Sequence, residues 1–347
     1  MKKIVQKFGG SSLNSAEKRE MVVKHIEKAI KMGYKPVVVV SAMGRLGEPY
    51  ATDTLIEVAS EINKDIDNRE KDLLMSCGEI ISTIVLVQTL KKAGIEAIAL
   101  TGAQAGIYTD DSFGEAEIIR VVPDKVNKTL KEGKIPVIAG FQGITEDGEI
   151  TTLGRGGSDT TASIIAAAIG ALYIEIYTDV AGVMTADPAL VESARILDVV
   201  TYNEVCELAY QGARVIHPRA AEIAMKERIP IKIKSTFNDG PGTLINSNGM
   251  RKIKGDRPVT GVTSRRNIVF IKIIPDNPVE YATGLLVFNL LAENDISVDF
   301  INIRSEATSF IIDSKNREKV DAILQEHNFN YKIRDDFVKV SVVGGGM

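Results

Sequence analysis

Two glycine-rich segments of this sequence carry charged residues of the types that bind phosphate groups. Residues 7–12, Lys-Phe-Gly-Gly-Ser-Ser, directly follow a strand-like run, and residues 154–159, Gly-Arg-Gly-Gly-Ser-Asp, directly precede a helix-like run. Glycine lets backbone N–H groups approach an anion closely, and a helix N-terminus adds unpaired N–H donors and a positive dipole end. Together the segments indicate a nucleotide-dependent kinase whose predicted nucleotide-binding residues include Gly9, Gly10, Ser11, Gly156, Gly157 and Ser158.

Three charged residues in these segments have side chains that suit phosphoryl transfer. Lys7 could neutralise the transferred phosphoryl group, since this reaction depends mainly on positioning and on charge neutralisation. Arg155 presents a planar guanidinium that matches a carboxylate. Asp159, in the first turn of the following helix, could belong to an anion pocket. Simpler interpretations are a strand-end lysine before a turn for Lys7, and favourable interaction with the helix dipole for Asp159.

Three further residues are candidates for ligand contacts. Gly78 interrupts a long helical segment at a cost of about 1 kcal/mol relative to alanine, which indicates a close approach and would make Glu79 a partner for a ligand amine. Asp179 follows a strand and could orient a nucleotide sugar or base, and Arg214 could contact a polyphosphate. The alternatives are a solvated glutamate, an Asx-turn and a solvated arginine. No Gly-x-x-x-x-Gly-Lys-Ser/Thr sequence occurs, which excludes a P-loop enzyme.

The elements that must position these residues alternate between strand and helix up to about residue 235. Residues 37–40 are four consecutive valines, a run typical of strands buried on both faces of a mainly parallel sheet. This alternation predicts an α/β fold, a three-layer αβα sandwich. Ligands of such sheets bind at the carboxyl ends of the strands, where Lys7, Ser41 and Thr178 fall. The predicted strands are residues 4–7, 36–41, 95–100, 135–139, 173–178 and 231–234, and the predicted helices are 16–32, 54–63, 69–93, 158–169 and 219–227.

A second, smaller domain is predicted after a turn-rich and charged stretch at residues 238–258. From residue 267 the pattern reads strand, helix, strand, strand, helix, strand, which is the ferredoxin-like α+β order. Residues 337–343 begin one more strand. We therefore expect a first domain over residues 1–237, a linker over 238–258 and a second domain over 259–337.

Composition excludes several classes of protein. The net charge of −4 and the lack of a long basic run argue against a nucleic-acid partner. No uninterrupted apolar run approaches about 18 residues, so no membrane span is expected. Cys77 and Cys206 cannot form a disulfide framework, and the chain enters a strand at once without a signal peptide, so a reduced, cytoplasmic protein is expected. The three histidines have no metal-ligand spacing, and we predict no metal-binding residue.

These motifs closely resemble those of the aspartate kinase family, within the amino-acid kinase superfamily. The resemblance covers nearly the whole chain and is carried by residues 7–12, 39–44, 76–79, 100–106, 139–143, 153–159, 177–179 and 212–218. It implies a carbamate-kinase-like catalytic fold and ATP-dependent phosphorylation of L-aspartate to 4-phospho-L-aspartate. That reaction is the first step towards lysine, diaminopimelate, threonine and methionine. ATP as co-substrate implies Mg²⁺, which bridges nucleotide phosphates.

The resemblance also implies roles for particular residues. Ser41, Thr52 and Phe141 would line the substrate cleft, with Glu79 on the amine of aspartate and Arg155 on a carboxylate. Lys7 would neutralise the phosphoryl oxygens, held in position by Asp159. Thr178, Asp179 and Arg214 would contact ATP. Departures from the family pattern at Met184, Ala189 and Arg214 lie on the nucleotide side and put the exact ATP contacts in question.

The C-terminal region resembles the ACT regulatory modules of this family. Residues 259–337 match one module, and residues 338–347 match the start of a second that is then cut short. The resemblance implies an amino-acid effector, namely lysine, threonine or diaminopimelate, and we expect a homodimer, the commonest oligomer. Two alternatives are another amino-acid kinase, of the glutamate or acetylglutamate type, and a non-catalytic amino-acid sensor.

Overall fold

The computed structural model describes residues 1–213, 215–247, 259–275 and 282–344. These residues form two compact units, Met1–Gly261 with Val343–Met347, and Val262–Val342. The strands up to residue 247 are β1 (Lys3–Phe8), β2 (Lys35–Val40), β3 (Ala97–Leu100), β4 (Ile107–Thr109), β5 (Ile118–Val121), β6 (Ile135–Ala139), β7 (Gln142–Ile144), β8 (Ile150–Thr152), β9 (Ile174–Thr178), β10 (Val199–Thr201), β11 (Ile231–Ser235) and β12 (Thr243–Asn246). The helices of the same region are α1 (Ala16–Lys31), α2 (Thr52–Ser60), α3 (Asn68–Lys92), α4 (Asp124–Lys131), α5 (Gly157–Ile169), α6 (Tyr202–Tyr210) and α7 (Pro218–Lys226).

The first unit is built on an eight-stranded sheet with the order β10-β12-β11-β9-β1-β2-β6-β3. Strand β1 lies in the middle and pairs in parallel with β2 on one side and β9 on the other, with Lys7 opposite Val39 and Ile176. The other neighbouring pairs are parallel except β11 with β12. The predicted α/β class with a mainly parallel sheet is confirmed.

Helices cover both faces of this sheet and bury its alternating apolar side chains. On one face, Val38 and Val40 pack with α1 and α3, for example with Ile26 and Leu86. On the other face, Val37 and Val39 belong to the larger core cluster, which includes residues of α4, α5, α6 and α7. Adjacent residues of a strand point to opposite faces, so the valine run must be apolar throughout. The three-layer arrangement predicted from that run is therefore present.

Local signals explain where several helices begin and end. The Ser15 hydroxyl accepts a hydrogen bond from the Lys18 N–H at the start of α1, and Thr201 and Glu204 form a capping box at the start of α6. Helix α5 ends at Gly170, whose φ of 64° is the left-handed conformation that closes many helices.

Short strands account for most of the differences from the sequence prediction. A second sheet with the order β5-β4-β7-β8 was not predicted, because strands of three or four residues show no clear periodicity. Strand β12 lies within the predicted linker 238–258 and pairs antiparallel with β11 and parallel with β10. The large sheet therefore continues beyond residue 237, past the turn-rich segment that we interpreted as a boundary. The charged part of that segment, residues 251–257, lies outside the described residues.

The second unit follows the predicted ferredoxin-like order. Its elements are β13 (Gly261–Arg265), β14 (Ile268–Ile273), α8 (Ala282–Glu293), β15 (Asp299–Arg304), β16 (Ala307–Asp313), α9 (Arg317–Glu326), β17 (Tyr331–Arg334) and β18 (Lys339–Val343). The sheet order is β15-β16-β14-β17, and β13 pairs with β18. Its core packs α8 and α9 against the sheet. The edge strand β15 exposes Phe300, Ile301 and Ile303.

Helix α3 is the one helix among the described residues that is long and apolar enough to cross a membrane. The mean hydropathy of its most apolar 18-residue window is 1.7, and 44% of that window is buried inside the protein. The helix also buries the polar residues Asp72, Ser76 and Glu79. A core helix gives the same signal, and α3 packs against the large sheet beside α1.

Candidate functional site

A polar cleft lies at the carboxyl ends of three neighbouring strands of the large sheet. Gly10 and Ser11 follow β1, Ser41 follows β2, and Asp179 follows β9. The cleft has a volume of about 350 Å³, within the range of small-molecule sites. It is lined by Gly10, Ser11, Ser41, Ala42, Gly44, Arg45, Ala51, Thr52, Asp53, Glu79 and Asp179. Six predicted site residues, Gly10, Ser11, Ser41, Thr52, Glu79 and Asp179, therefore line one cavity.

Lys7 and Asp159 form a largely buried ion pair beside this cleft. The Lys7 Nζ lies 2.8 Å from Asp159 Oδ1, and the two side chains are only 13% and 14% exposed. The second Asp159 oxygen accepts a longer hydrogen bond, 3.4 Å, from the backbone N–H of His217. The carboxylate thus fixes the lysine in one position at the end of β1, the arrangement in which we expect Lys7 to meet a phosphoryl group.

Glu79 is a buried carboxyl group with one oxygen free for a ligand. Its Oε1 accepts a hydrogen bond of 3.0 Å from the Ala42 N–H, whereas Oε2 has no hydrogen-bonding partner among the described residues. Burial raises the pKa of Glu79 to about 8, opposed by the Ala42 hydrogen bond and by the positive charge of Lys7. An ammonium group of a ligand would satisfy the free oxygen and its charge together.

The pH dependence of substrate binding should report this carboxyl group. Below a pKa of about 8 the empty protein holds Glu79 largely protonated and unable to pair with an ammonium. We expect the KM for an amino-acid substrate to fall as the pH rises from about 6 to 8, by up to roughly tenfold per unit, while the KM for the nucleotide stays flat. Initial rates measured across that range test this. A Glu79→Gln variant that keeps the same pH profile would contradict it.

The same raised pKa has a consequence for folding. The pKa of Glu79 in the unfolded chain is the ordinary 4.5, so the raised pKa in the folded protein favours the folded state at low pH. That contribution to stability is fully present below the unfolded pKa and is lost as the pH rises through about 8. A bound cation would restore it.

The second glycine-rich segment is shaped by close contacts. Gly156 has a φ of 74° and caps α5 without a side-chain acceptor. A Cβ on Gly156 would lie 2.1 Å from the His217 ring, and one on Gly157 would lie 2.6 Å from the Phe141 ring. Phe141 itself has a φ of 69°, a strained conformation for an aromatic residue that is often found at functional sites. Phe141 and the segment are therefore in direct contact, as a shared cleft requires.

The remaining predicted residues occupy different places. Arg155 is exposed and makes no hydrogen bond or ion pair with any residue that the structure describes. The Thr178 hydroxyl donates to Asp179 over 3.1 Å, and Asp179 pairs with Arg45 over 3.0 Å. Arg214 lies outside the described residues. Among the residues that are described, no group of three or more His, Cys, Asp or Glu side chains could hold a metal ion.

Sequence reasoning did not single out Arg45 or His217. Arg45 lines the cleft but lies in a loop with no periodicity, and its partner Asp179 is far away in the sequence. His217 packs against Gly156, and burial lowers the pKa of its imidazole, opposed by the nearby Asp159 charge. The glycine at position 156 does not indicate, from the sequence alone, that the side chain packed against it is His217.

Comparison with known proteins places the chain in a family. Residues 2–235 match the model of the amino acid kinase family. The chain belongs to this family. Helix α7 and strand β11 fall inside the matched range, so the match spans the large sheet as far as Ser235.

Aspartokinases are among the proteins that this chain resembles. Aspartokinase 1 of Bacillus subtilis (strain 168) is 46% identical over 350 residues, which cover 100% of this chain and 86% of the relative. The solved aspartate kinase from Synechocystis is 34% identical with a TM-score of 0.62, and the match covers 98% of this chain and 60% of that one. E. coli aspartokinase III, solved in complex with lysine and aspartate, is 25% identical with a TM-score of 0.75, over 98% of this chain and 87% of that one.

Proposed function

We propose that this member of the amino acid kinase family is an aspartate kinase. It would transfer the γ-phosphoryl group of ATP to the side-chain carboxylate of L-aspartate, giving 4-phospho-L-aspartate and ADP. The observation that carries the proposal is the pairing of two groups at one cleft: the buried Lys7–Asp159 ion pair and the unpartnered Glu79 oxygen. The 46% identity to an aspartokinase over the whole chain supports the same activity.

The geometry suggests how the chain would bind aspartate. The substrate ammonium would pair with Glu79 Oε2, and the exposed guanidinium of Arg155 would hold a carboxylate. Ser41 and Thr52 line the cleft with Glu79, and Phe141 contacts the second glycine-rich segment. These contacts would leave the reacting carboxylate free to attack the γ-phosphorus.

Phosphoryl transfer then needs charge neutralisation more than acid–base chemistry. A substrate carboxylate oxygen forms the new bond to the γ-phosphorus, the bond from phosphorus to the bridging oxygen of ADP breaks, and no proton has to move. Lys7 would neutralise charge on the transferred group while Asp159 holds its ammonium in place. The glycine segments at Gly9, Gly10 and Gly156 would let backbone N–H groups approach the phosphates.

We propose ATP and Mg²⁺ as the nucleotide pair. Mg²⁺ commonly binds to nucleotide phosphates with few protein carboxylates and neutralises phosphate charge when bound. The described residues, which contain no metal-binding cluster, fit an ion that arrives with the nucleotide. We assign no protein ligand to it. Thr178, Asp179 and Arg214 are our proposed residues on the ATP side.

The decisive experiment is release of ADP in the presence of L-aspartate, L-glutamate and N-acetyl-L-glutamate, with formation of the acyl phosphate trapped by hydroxylamine. Of the three acceptors, only L-aspartate is expected to support the release of ADP. Preference for either of the other acceptors would replace the proposal with a different amino-acid kinase, and a lack of turnover with all three would favour a sensor. Aspartate turnover would place the reaction at the first step towards lysine, threonine and methionine.

Replacing Arg155 by lysine should raise the KM for aspartate by roughly tenfold or more, although the charge is kept. A lysine cannot make the two parallel hydrogen bonds that a guanidinium offers a carboxylate. Steady-state kinetics with each substrate varied in turn is the measurement. Arg120→Lys is the matched control, since Arg120 is also exposed but pairs with Glu146. An Arg155 variant that alters only the KM for ATP would show that we have exchanged the two ends of the cleft.

For the second unit we propose regulation and self-association. Its sheet and helix order is ACT-like, and a solved relative carries lysine in its complex. The exposed apolar side chains of edge strand β15 suit pairing with a second copy in a two-fold homodimer. Activity measured with added lysine, threonine or diaminopimelate tests the regulation, and light scattering tests the self-association.

We also propose a cytoplasmic location. The free thiols of Cys77 and Cys206 are consistent with it.

A further inference from the structure

A stripe of buried polar side chains runs along the otherwise apolar helix α3. Asp72, Ser76, Glu79 and Thr83 follow one another at intervals of four, three and four residues, and each is at most 3% exposed. This spacing places them on one face of the helix. Two acidic groups of this stripe, Asp72 and Glu79, are therefore held on the same rigid element, two turns apart.

Asp72 uses both of its oxygens to bind residues far away in the sequence. Its Oδ2 accepts hydrogen bonds from the Gly114 N–H over 2.9 Å and from the Thr152 N–H over 2.7 Å. Its Oδ1 accepts one from the Thr152 hydroxyl over 2.7 Å. The carboxyl group is fully buried and has no cationic partner among the described residues. Three donors compensate it, which is how a buried carboxylate is tolerated.

These bonds hold the base of the segment that carries Arg155. Thr152 is the last residue of β8, three positions before Arg155, and its carbonyl accepts from the Ala116 N–H over 2.9 Å. A Cβ on Gly154 would lie 3.2 Å from the Gly114 carbonyl oxygen. Gly154 therefore packs against the turn at Gly114. The backbone N–H of Gly114 donates to Asp72, so Asp72 holds the same turn.

We infer that Asp72 is a positioning residue that fixes where Arg155 lies relative to Glu79. The inference rests on the proposed function, in which Glu79 binds the amine of the substrate and Arg155 a carboxylate. Asp72 and Glu79 are about 10 Å apart along the helix axis at 1.5 Å per residue. Helix α3 carries Glu79, which would bind the substrate amine, and through Asp72 it holds the segment with Arg155, which would bind the carboxylate. Asp72 therefore sets the length of the amino acid that the cleft accepts.

Replacing Asp72 with asparagine keeps the size of the side chain but exchanges one of the two accepting oxygens for an N–H₂ group, which cannot accept a hydrogen bond. We expect the KM for aspartate to rise by roughly 10-fold or more, since small displacements of a substrate-binding group are costly. The KM for ATP should rise less than the KM for aspartate, because the first glycine-rich segment, with Gly9 and Gly10, has no hydrogen bond to Asp72. Discrimination of aspartate from glutamate, measured as the ratio of kcat/KM values, should fall.

Thr152 variants keep the test decisive if the Asp72 variant fails to fold. Thr152→Val removes only the hydroxyl bond to Asp72 and should raise the aspartate KM in the same direction, to a smaller extent. Thr152→Ser retains the hydroxyl and should restore the KM. The matched control is Thr151→Val: Thr151 is the buried neighbour in β8, and its hydroxyl bonds to Thr109 over 2.6 Å instead. It should lower the melting temperature without changing either KM.

The outcomes separate this inference from the proposed function. Wild-type protein that releases no ADP with aspartate would refute the proposed function. Active wild type with an unchanged aspartate KM in both Asp72→Asn and Thr152→Val, or an equal rise in Thr151→Val, would overturn the role of Asp72. A rise confined to the variants that break the Asp72 bonds, reversed in Thr152→Ser, would establish it.

Discussion

Replacing Lys7 with alanine should lower kcat by roughly 100-fold or more, while the KM for aspartate changes only a few-fold. The charge of Lys7 matters most when negative charge develops on the transferred phosphoryl group, so its loss raises the barrier more than it weakens substrate binding. Single-turnover and steady-state measurements with ATP and aspartate test this. A variant with near-normal turnover would remove Lys7 from the reaction.

Stability complicates this experiment and needs its own control. Lys7→Ala leaves Asp159 buried without its ion-pair partner, which typically costs about 3–5 kcal/mol. Lys234→Ala does the same elsewhere on the sheet, because Lys234 pairs with the buried Glu175 over 3.4 Å at 19% and 9% exposure. That variant should also melt earlier but should retain kcat while folded. Equal losses of kcat in the two variants would mean that destabilisation alone explains the effect.

Gly10→Ala should produce the second large effect, with a turnover loss of about 100-fold and a clear fall in melting temperature. A Cβ at this position would lie 2.2 Å from the backbone oxygen of Ala42 and 3.2 Å from that of Gly44. Neither atom is the end of a flexible side chain, so the segment after β1 must move away from the loop after β2. Overpacking of this kind usually costs about 1–3 kcal/mol or more.

The neighbouring glycine provides the matched control. Gly9 has a φ of −72°, which alanine adopts readily, and a Cβ there would meet only Lys7 Nζ and the Tyr177 carbonyl oxygen, both at 3.9 Å. Gly9→Ala should therefore keep the folding stability within about 0.5 kcal/mol. Thermal denaturation of the two variants compares them directly. Equal stability of Gly9→Ala and Gly10→Ala would contradict the packing argument.

The long elements of the fold could be predicted from the sequence because each carries its own signal. The valine run of β2 predicts a strand that is buried on both faces, and residues 69–93 form one long predicted helix that corresponds to α3. Strands β7 and β8 have three residues each, too few for any periodicity to appear. Strand β12 was masked by the turn residues around it, although its partner β11 was predicted.

Candidate site residues could be proposed from the sequence where the signal is local, and could not where it depends on contacts between distant parts of the chain. Lys7 and Glu79 are marked by the glycines beside them, and the structure places both at or beside one cleft. The role of Asp72 depends on Gly114 and Thr152, which are 42 and 80 positions away. From the sequence alone, an acidic residue near the start of a helix is expected to be exposed to solvent. The burial of Asp72 depends on residues that lie far away in the sequence.

The central place of β1 in the sheet governs the order in which the protein can be assembled during synthesis. Its residues are synthesised before their partners on one side, in β9, which follow about 170 residues later. At typical rates of translation this interval is roughly 10 to 30 s. During it, strand β1 lacks that neighbour and is open to wrong pairings, which gives chaperones a period in which to act. The segment that holds Lys7 is thus synthesised well before the strand that completes its surroundings.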